Sequence, residues 1–206
     1  MRIGIDFDNT IACYDGVFHA AALARGLIPP DLARDKTSVR DHLNKCGCKD
    51  AFTELQGHVY GVRMDWVSPF PGFAEFIGAA QRAGHALFVI SHRTRRPILG
   101  PAHDLHAAAR SFLRDRGLVG TGPSQIDPER VFFEPTKEEK VARAAGLRCD
   151  LFIDDLPEIL AMAAFPAKMR RILFDPSGKF AGSTGAGIER RPSWAAITEE
   201  VTHEAG

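Results

Sequence analysis

Cysteine is scarce in this chain: Cys13, Cys46, Cys48 and Cys149 are the only four among 206 residues. They form no framework of spaced pairs. Cys46-Gly47-Cys48 is too tightly spaced for a usual zinc pair, and no second pair answers it. Reduced thiols in a cytoplasmic protein are therefore expected. Net charge is also missing, since 26 Lys and Arg match 26 Asp and Glu and the sequence pI is about 7.1. Nothing here resembles the basic excess that accompanies binding to a nucleic-acid polymer or a membrane surface. No apolar run approaches the roughly 18 residues of a membrane-spanning helix. Met1-Arg2 leads straight into an apolar run of strand length, so no leader is expected. Repeats and low-complexity tracts are absent.

What remains is an ordinary globular balance, 45% hydrophobic and 25% charged, of a length suited to one domain with a modest insertion. Short, continuously apolar runs at 3–7, 86–90, 131–133, 151–153 and 172–174 read as strands buried on both faces. Helical patterns follow at 72–83, 104–116, 137–145 and 156–164, with a last amphipathic piece at 194–201. Strand–helix alternation predicts an α/β three-layer sandwich around a central parallel sheet. Between 14 and 67 only helical patterns occur (17–25, 39–45 and 51–62), punctuated by Pro29-Pro30 and Gly47. That is more than one crossover needs, so 14–67 reads as an inserted helical cap and 1–13 with 68–206 as the core. Residues 177–191, rich in Gly and Ser, read as a mobile loop.

The chemistry-bearing residues lie where the expected strands end. The first strand runs into Asp6-Phe7-Asp8-Asn9-Thr10. Residues two apart on a strand point to one side, so Asp6 and Asp8 project together, beyond the carboxyl edge where open parallel sheets bind ligands. Asp and Asn also favour turns for local reasons. The run 151–153 ends in Asp154-Asp155, of which one has the position of a helix N-cap. Converging at one edge, the four carboxylates would make a hard-oxygen site suited to Mg²⁺. The second strand ends at Ser91, followed by His92-Arg93-Thr94-Arg95-Arg96, whose three arginines read as phosphate ligands or as solvated loop, at least two of them as loop. Thr136 and Glu139 have capping-box spacing, which puts Lys137 in the first helical turn, with Lys140 one turn later as the competing candidate.

This ordered set resembles the four motifs of the haloacid dehalogenase-like superfamily. They are DxDx[TV] at Asp6–Thr10, a strand-end hydroxyl at Ser91, a lysine near a helix start at Lys137, and the acidic pair Asp154-Asp155. The resemblance implies a magnesium-dependent phosphatase. In it Asp6 is the nucleophile and Asp8 the acid and base, while Ser91 and Lys137 bind phosphoryl oxygens. It also implies a Mg²⁺ held by Asp6, the Asp8 carbonyl and Asp155, with Asp154 acting through water. An acid at Asp8 favours phosphate chemistry over carbon–halogen cleavage, where halide leaves without a proton. The helical insertion is similar to the small cap of a branch that includes 5'-deoxyribonucleotidases. Tyr14, Phe18, Tyr60, Arg63 and Trp66 are its candidate substrate contacts, each of them also a candidate for cap core.

The expected partner is a small phosphorylated metabolite, a nucleotide or sugar phosphate. A phosphotransferase or mutase on the same core is the alternative within enzymes, and a non-catalytic phospho-ligand binder the alternative outside them. A histidine-based zinc hydrolase fits poorly, because His103 and His106 find no third ligand in the sequence.

Overall fold

The computed structural model describes residues 1–181, 185 and 187–203. In chain order the elements are β1 (Arg2–Ile5), β2 (Ala12–Cys13), α1 (Val17–Ala24), α2 (Lys36–Lys45), α3 (Lys49–Val62), β3 (Ser68–Pro69), α4 (Phe73–Arg82) and β4 (Ala86–His92). There follow α5 (Leu105–Asp115), β5 (Val131–Glu134), α6 (Lys137–Gly146), β6 (Leu151–Asp154), α7 (Pro157–Leu160), β7 (Arg170–Phe174), β8 (Ile188–Arg191) and α8 (Trp194–His203). Two compact units result. One comprises Met1–Ala12, Pro69–Arg93 and Arg114–Gly206, and the other Cys13–Ser68 with Thr94–Leu113.

The first unit is built on a six-stranded sheet in the order β5-β4-β1-β6-β7-β8, parallel at every pairing. Its strands are apolar because both faces are covered. On one face Phe88, Ile90, Phe152 and Leu173 pack with Val141 and Ala144 of α6 and Ile159 and Leu160 of α7. On the other, Phe73 and Phe76 of α4 lie with their ring centroids 4.7 Å from that of Trp194 in α8, and Phe174 lies 5.4 Å from the same ring. The expected α/β three-layer sandwich is what forms. Close packing reaches the backbone at Gly4, where a Cβ would lie 2.6 Å from the Phe152 ring, so glycine alone fits the middle of β1.

Two readings need correction. Residues 188–191, expected in a loop, are the sixth strand. Glu189, Arg190 and Arg191 hide the strand pattern because β8 is an edge whose side chains pair as ions, Arg170 with Glu189, Arg190 with Asp175 and Arg191 with Glu200. Within that stretch, residues 182–184 and 186 lie outside the described residues. Helix α7 closes after Leu160, short of 164, and Phe165 and Met169 anchor the following turns in the core.

The second unit is helical. Asp35 caps α2 by accepting from the Ser38 backbone N–H at 2.9 Å. Tyr14, Phe18 and Tyr60 meet edge to face, with centroids 5.2 to 5.9 Å apart. Tyr14 and Phe18 are fully buried, so these candidate substrate contacts belong to the core of the unit. On α3, Gly57 and Gly61 lie one turn apart. A Cβ at either would come within 2.7 Å of Pro97 or 2.6 Å of His103. Those glycines let the 94–103 segment press against the helix. No helix among the described residues is long and apolar enough to cross a membrane.

Candidate active site

The site belongs to the first unit and begins where β1 ends. The Asp6 backbone N–H donates to the Ile153 carbonyl at 2.9 Å, so the parallel ladder with β6 carries one residue past the strand and holds Asp6 rigidly. Beyond it the chain turns tightly. Asn9 takes φ 57°, a left-handed conformation that asparagine tolerates, and the Ile11 and Ala12 N–H groups both return to the Phe7 carbonyl. The indole N–H of Trp194 donates to the Thr10 carbonyl at 3.0 Å and fixes the far end of this turn.

β6 delivers Asp154 and Asp155 to the same edge, since Ile5 pairs with Ile153. One carboxylate oxygen from each of Asp6, Asp154 and Asp155 lies within 4.8 Å of the others. Asp154 serves two masters. Its Oδ1 accepts the Leu156 N–H at 3.0 Å in the turn before α7, whose N-cap is Leu156 and not either acid, while its Oδ2 accepts from Lys140.

Lys140 is the lysine of the site. Its Nζ lies 2.5 Å from Asp6 Oδ1 and 2.6 Å from Asp154 Oδ2, and its side chain is 1% exposed. Lys137, favoured from the sequence, is 41% exposed and faces Glu158 at 3.6 Å. The capping box itself forms, with the Glu139 N–H donating to Thr136 Oγ1 at 3.1 Å. The error lay in the direction of reach. Helical side chains lean towards the helix N-terminus, so a residue covers the turn before its own Cα. Lys140 leans back over the first turn to the sheet edge, whereas Lys137, in the first turn, leans past the helix into solvent. The available clue was the buried stripe Lys140, Val141 and Ala144, which places Lys140 on the face packed against the sheet.

Ser91 stands beside β1 in register, since Ile5 pairs with Val89. Its hydroxyl is buried and has no hydrogen-bond partner among the described residues; the same holds for the Thr10 hydroxyl. An orphaned buried hydroxyl calls for an acceptor or donor from outside the chain. Two residues further on stands Arg93, one of the three arginines, which the sequence reading did not single out from the loop and to which it assigned no partner. It is buried, and its Nη1 meets Asp8 Oδ1 at 2.6 Å and Oδ2 at 2.9 Å. The clue was alternation, which turns Arg93 to the same side as Ser91. Arg95 and Arg96 are exposed, as loop residues should be.

Electrostatics follow from burial. Desolvation, with Asp154 and Asp8 adding repulsion, pushes the Asp6 carboxyl up to about 7 in spite of Lys140. Burial likewise raises Asp155 well above its ordinary value, aided by Asp154 and Asp6. Burial alone would lower Lys140, but Asp154 and Asp6 outweigh it and keep its ammonium charged. Three clustered carboxyl groups thus share one ammonium, and their ionised forms lack enough positive charge nearby. Such an all-oxygen donor set fits a hard divalent cation.

No protein-family model and no curated protein matches the sequence. Solved structures match the fold along its whole length. A superfamily hydrolase from Ehrlichia chaffeensis aligns with TM-score 0.59 at 12% identity, over 100% of this chain and 97% of that one. The D,D-heptose 1,7-bisphosphate phosphatase of Burkholderia thailandensis gives 0.54 at 15%, over 97% and 96%. CbbY from Rhodobacter sphaeroides, solved in complex with phosphate, gives 0.53 at 19%, over 95% of each chain. The chain therefore has the fold of the haloacid dehalogenase-like superfamily.

Proposed function

We propose that this protein is a magnesium-dependent phosphomonoester hydrolase that works through an aspartyl-phosphate on Asp6. The observation that carries this reading is the convergence of Asp6, Asp154 and Asp155 around Lys140 at the end of the central strand. An oxygen of Asp6 attacks the phosphorus as the ester bond breaks, and the leaving oxygen takes a proton from Asp8. Alcohol departs and the phosphoryl group stays on Asp6. Water then attacks the phosphorus, its proton passes to Asp8, and inorganic phosphate leaves as the Asp6 carboxylate is restored. Ser91, whose hydroxyl has no partner among the described residues, and Lys140 bind the non-transferring phosphoryl oxygens.

Asp6, the Asp8 carbonyl and Asp155 would hold Mg²⁺ directly, with Asp154, already bonded at both oxygens, one shell further out. The cation would offset charge on the transferring phosphoryl group. The helical segment 14–67 is assigned to substrate selection. The substrate is a small phosphorylated metabolite, a nucleotide or a sugar phosphate, in keeping with the sugar-phosphate chemistry named for the Burkholderia neighbour.

The test is phosphate release from a panel of phosphomonoesters, with Mg²⁺ and with EDTA. Release with Mg²⁺ that EDTA abolishes is expected. A folded protein that binds Mg²⁺ yet releases nothing from any ester would overturn hydrolysis.

A second expectation concerns stability in the absence of metal. Asp6 has a folded pKa of about 7 against an ordinary value of 3.8. The sign is that of a raised group: its contribution is fully present below about pH 4 and is lost as pH rises through about 7, by a few kcal/mol. Mg²⁺ binds the ionised form and reverses that loss. The rise in Tm produced by Mg²⁺ should thus be larger at about pH 8 than at about pH 6. Thermal melts in Mg²⁺ and in EDTA decide it; an increment equal at both pH values would refute Asp6 as a ligand.

A further inference from the structure

We propose that Arg93 is a positioning residue that sets the aim of the Asp8 carboxylate, so that proton delivery to the leaving alcohol depends on an arginine that never touches the substrate. The inference rests on the assignment of Asp8 as acid and base in the reading above. One guanidinium nitrogen meets both oxygens of Asp8, at 2.6 and 2.9 Å, a charge-assisted contact that fixes where the carboxylate sits. The pair is asymmetric in exposure. The Arg93 side chain is 3% exposed and that of Asp8 21%, so what the pair offers to solvent is the carboxylate, with the arginine behind it. A phosphate-binding arginine would need the opposite arrangement.

Arg93 is itself held. Its backbone N–H donates to the Glu134 carbonyl at 2.9 Å, one step beyond the β4–β5 register of His92 with Glu134. Its guanidinium carbon lies 5.4 Å from the centroid of the Phe7 ring, between the two aspartates in sequence. The turn after β1 therefore has a second fixed point on β4, at the side chain that must reach the leaving oxygen. A planar guanidinium buried behind the carboxylate loses less freedom in holding it than a lysine on four flexible carbons would.

Leaving groups separate this role from the alternatives. An alkyl alcohol needs a proton to depart, and 4-nitrophenolate does not. The comparison uses kcat/KM, which reports steps only up to departure of the alcohol. Arg93→Gln should lower kcat/KM on an alkyl phosphate about 100-fold, within the usual worth of a positioned acid, and on 4-nitrophenyl phosphate less than about threefold. Arg93→Lys should fall between Arg93→Gln and the parent on the alkyl ester, and it carries the comparison should the glutamine variant not fold. Equal losses on both esters would overturn the proposal in favour of phosphate binding by Arg93. Unchanged rates on both would reduce the pair to a core ion pair. A parent protein inactive on both esters would sink the phosphatase reading itself, a result distinct from either.

Discussion

Asp6→Asn should release phosphate at least about 10⁴-fold more slowly than the parent on every ester, while the protein keeps its fold. The scale is that of removing a nucleophile whose function no neighbour can assume. Asparagine preserves the size of the side chain and an oxygen that can still accept from Lys140, which now reaches Asp6 at 2.5 Å. It removes the charge that burial makes costly to keep. In EDTA at about pH 8, where the parent carries an ionised and desolvated Asp6, the variant should therefore be no less stable than the parent. Phosphate-release kinetics and thermal melts on the same preparation check both halves. Retention of more than about 1% of activity would remove Asp6 from the nucleophile's place.

Lys140→Ala has the largest expected effect on stability. The ammonium is 1% exposed and bonded to two carboxylates, so its loss leaves Asp6 and Asp154 buried without their cation. Breaking a buried pair from one side costs about 3–5 kcal/mol, and the rate should fall by at least about 100-fold because the site loses the ammonium that meets Asp6 and Asp154. Lys137→Ala, which removes an exposed charge 3.6 Å from Glu158, should alter stability by less than about 1 kcal/mol and leave the rate within about twofold. Denaturant unfolding and initial rates on the two variants give the comparison. Greater damage from Lys137→Ala would contradict the geometry of helix α6.

The sheet was legible because its strands are apolar on both faces, and the acids because polar residues that end such strands stand out. Asp6, Asp154 and Asp155 are read directly from that break. The lysine was legible only to within one turn: capping fixed where α6 begins, but not which side chain reaches back over the first turn. Arg93 was illegible for another reason. In sequence it sits in a basic run with Arg95 and Arg96, and only the continuation of β4 past His92 turns it inwards. Strand β8 escaped notice because ion pairs, not apolar side chains, dress its edge. The grouping of Thr94–Leu113 with the helical unit is a matter of contacts in space, on which residue order is silent.

The sheet order has a consequence for synthesis. β1 is made first yet ends at the centre, between β4 and β6. A growing chain on the ribosome thus carries Asp6, the nucleophile of the proposed mechanism, long before it owns the strand that brings Asp154 and Asp155. Until β6 has emerged and slotted beside β1, Asp6 has neither its companion carboxylates nor the ammonium of Lys140 held between them. Under the proposed mechanism, a chain that still lacked β6 would carry Asp6 without the partners that the chemistry needs.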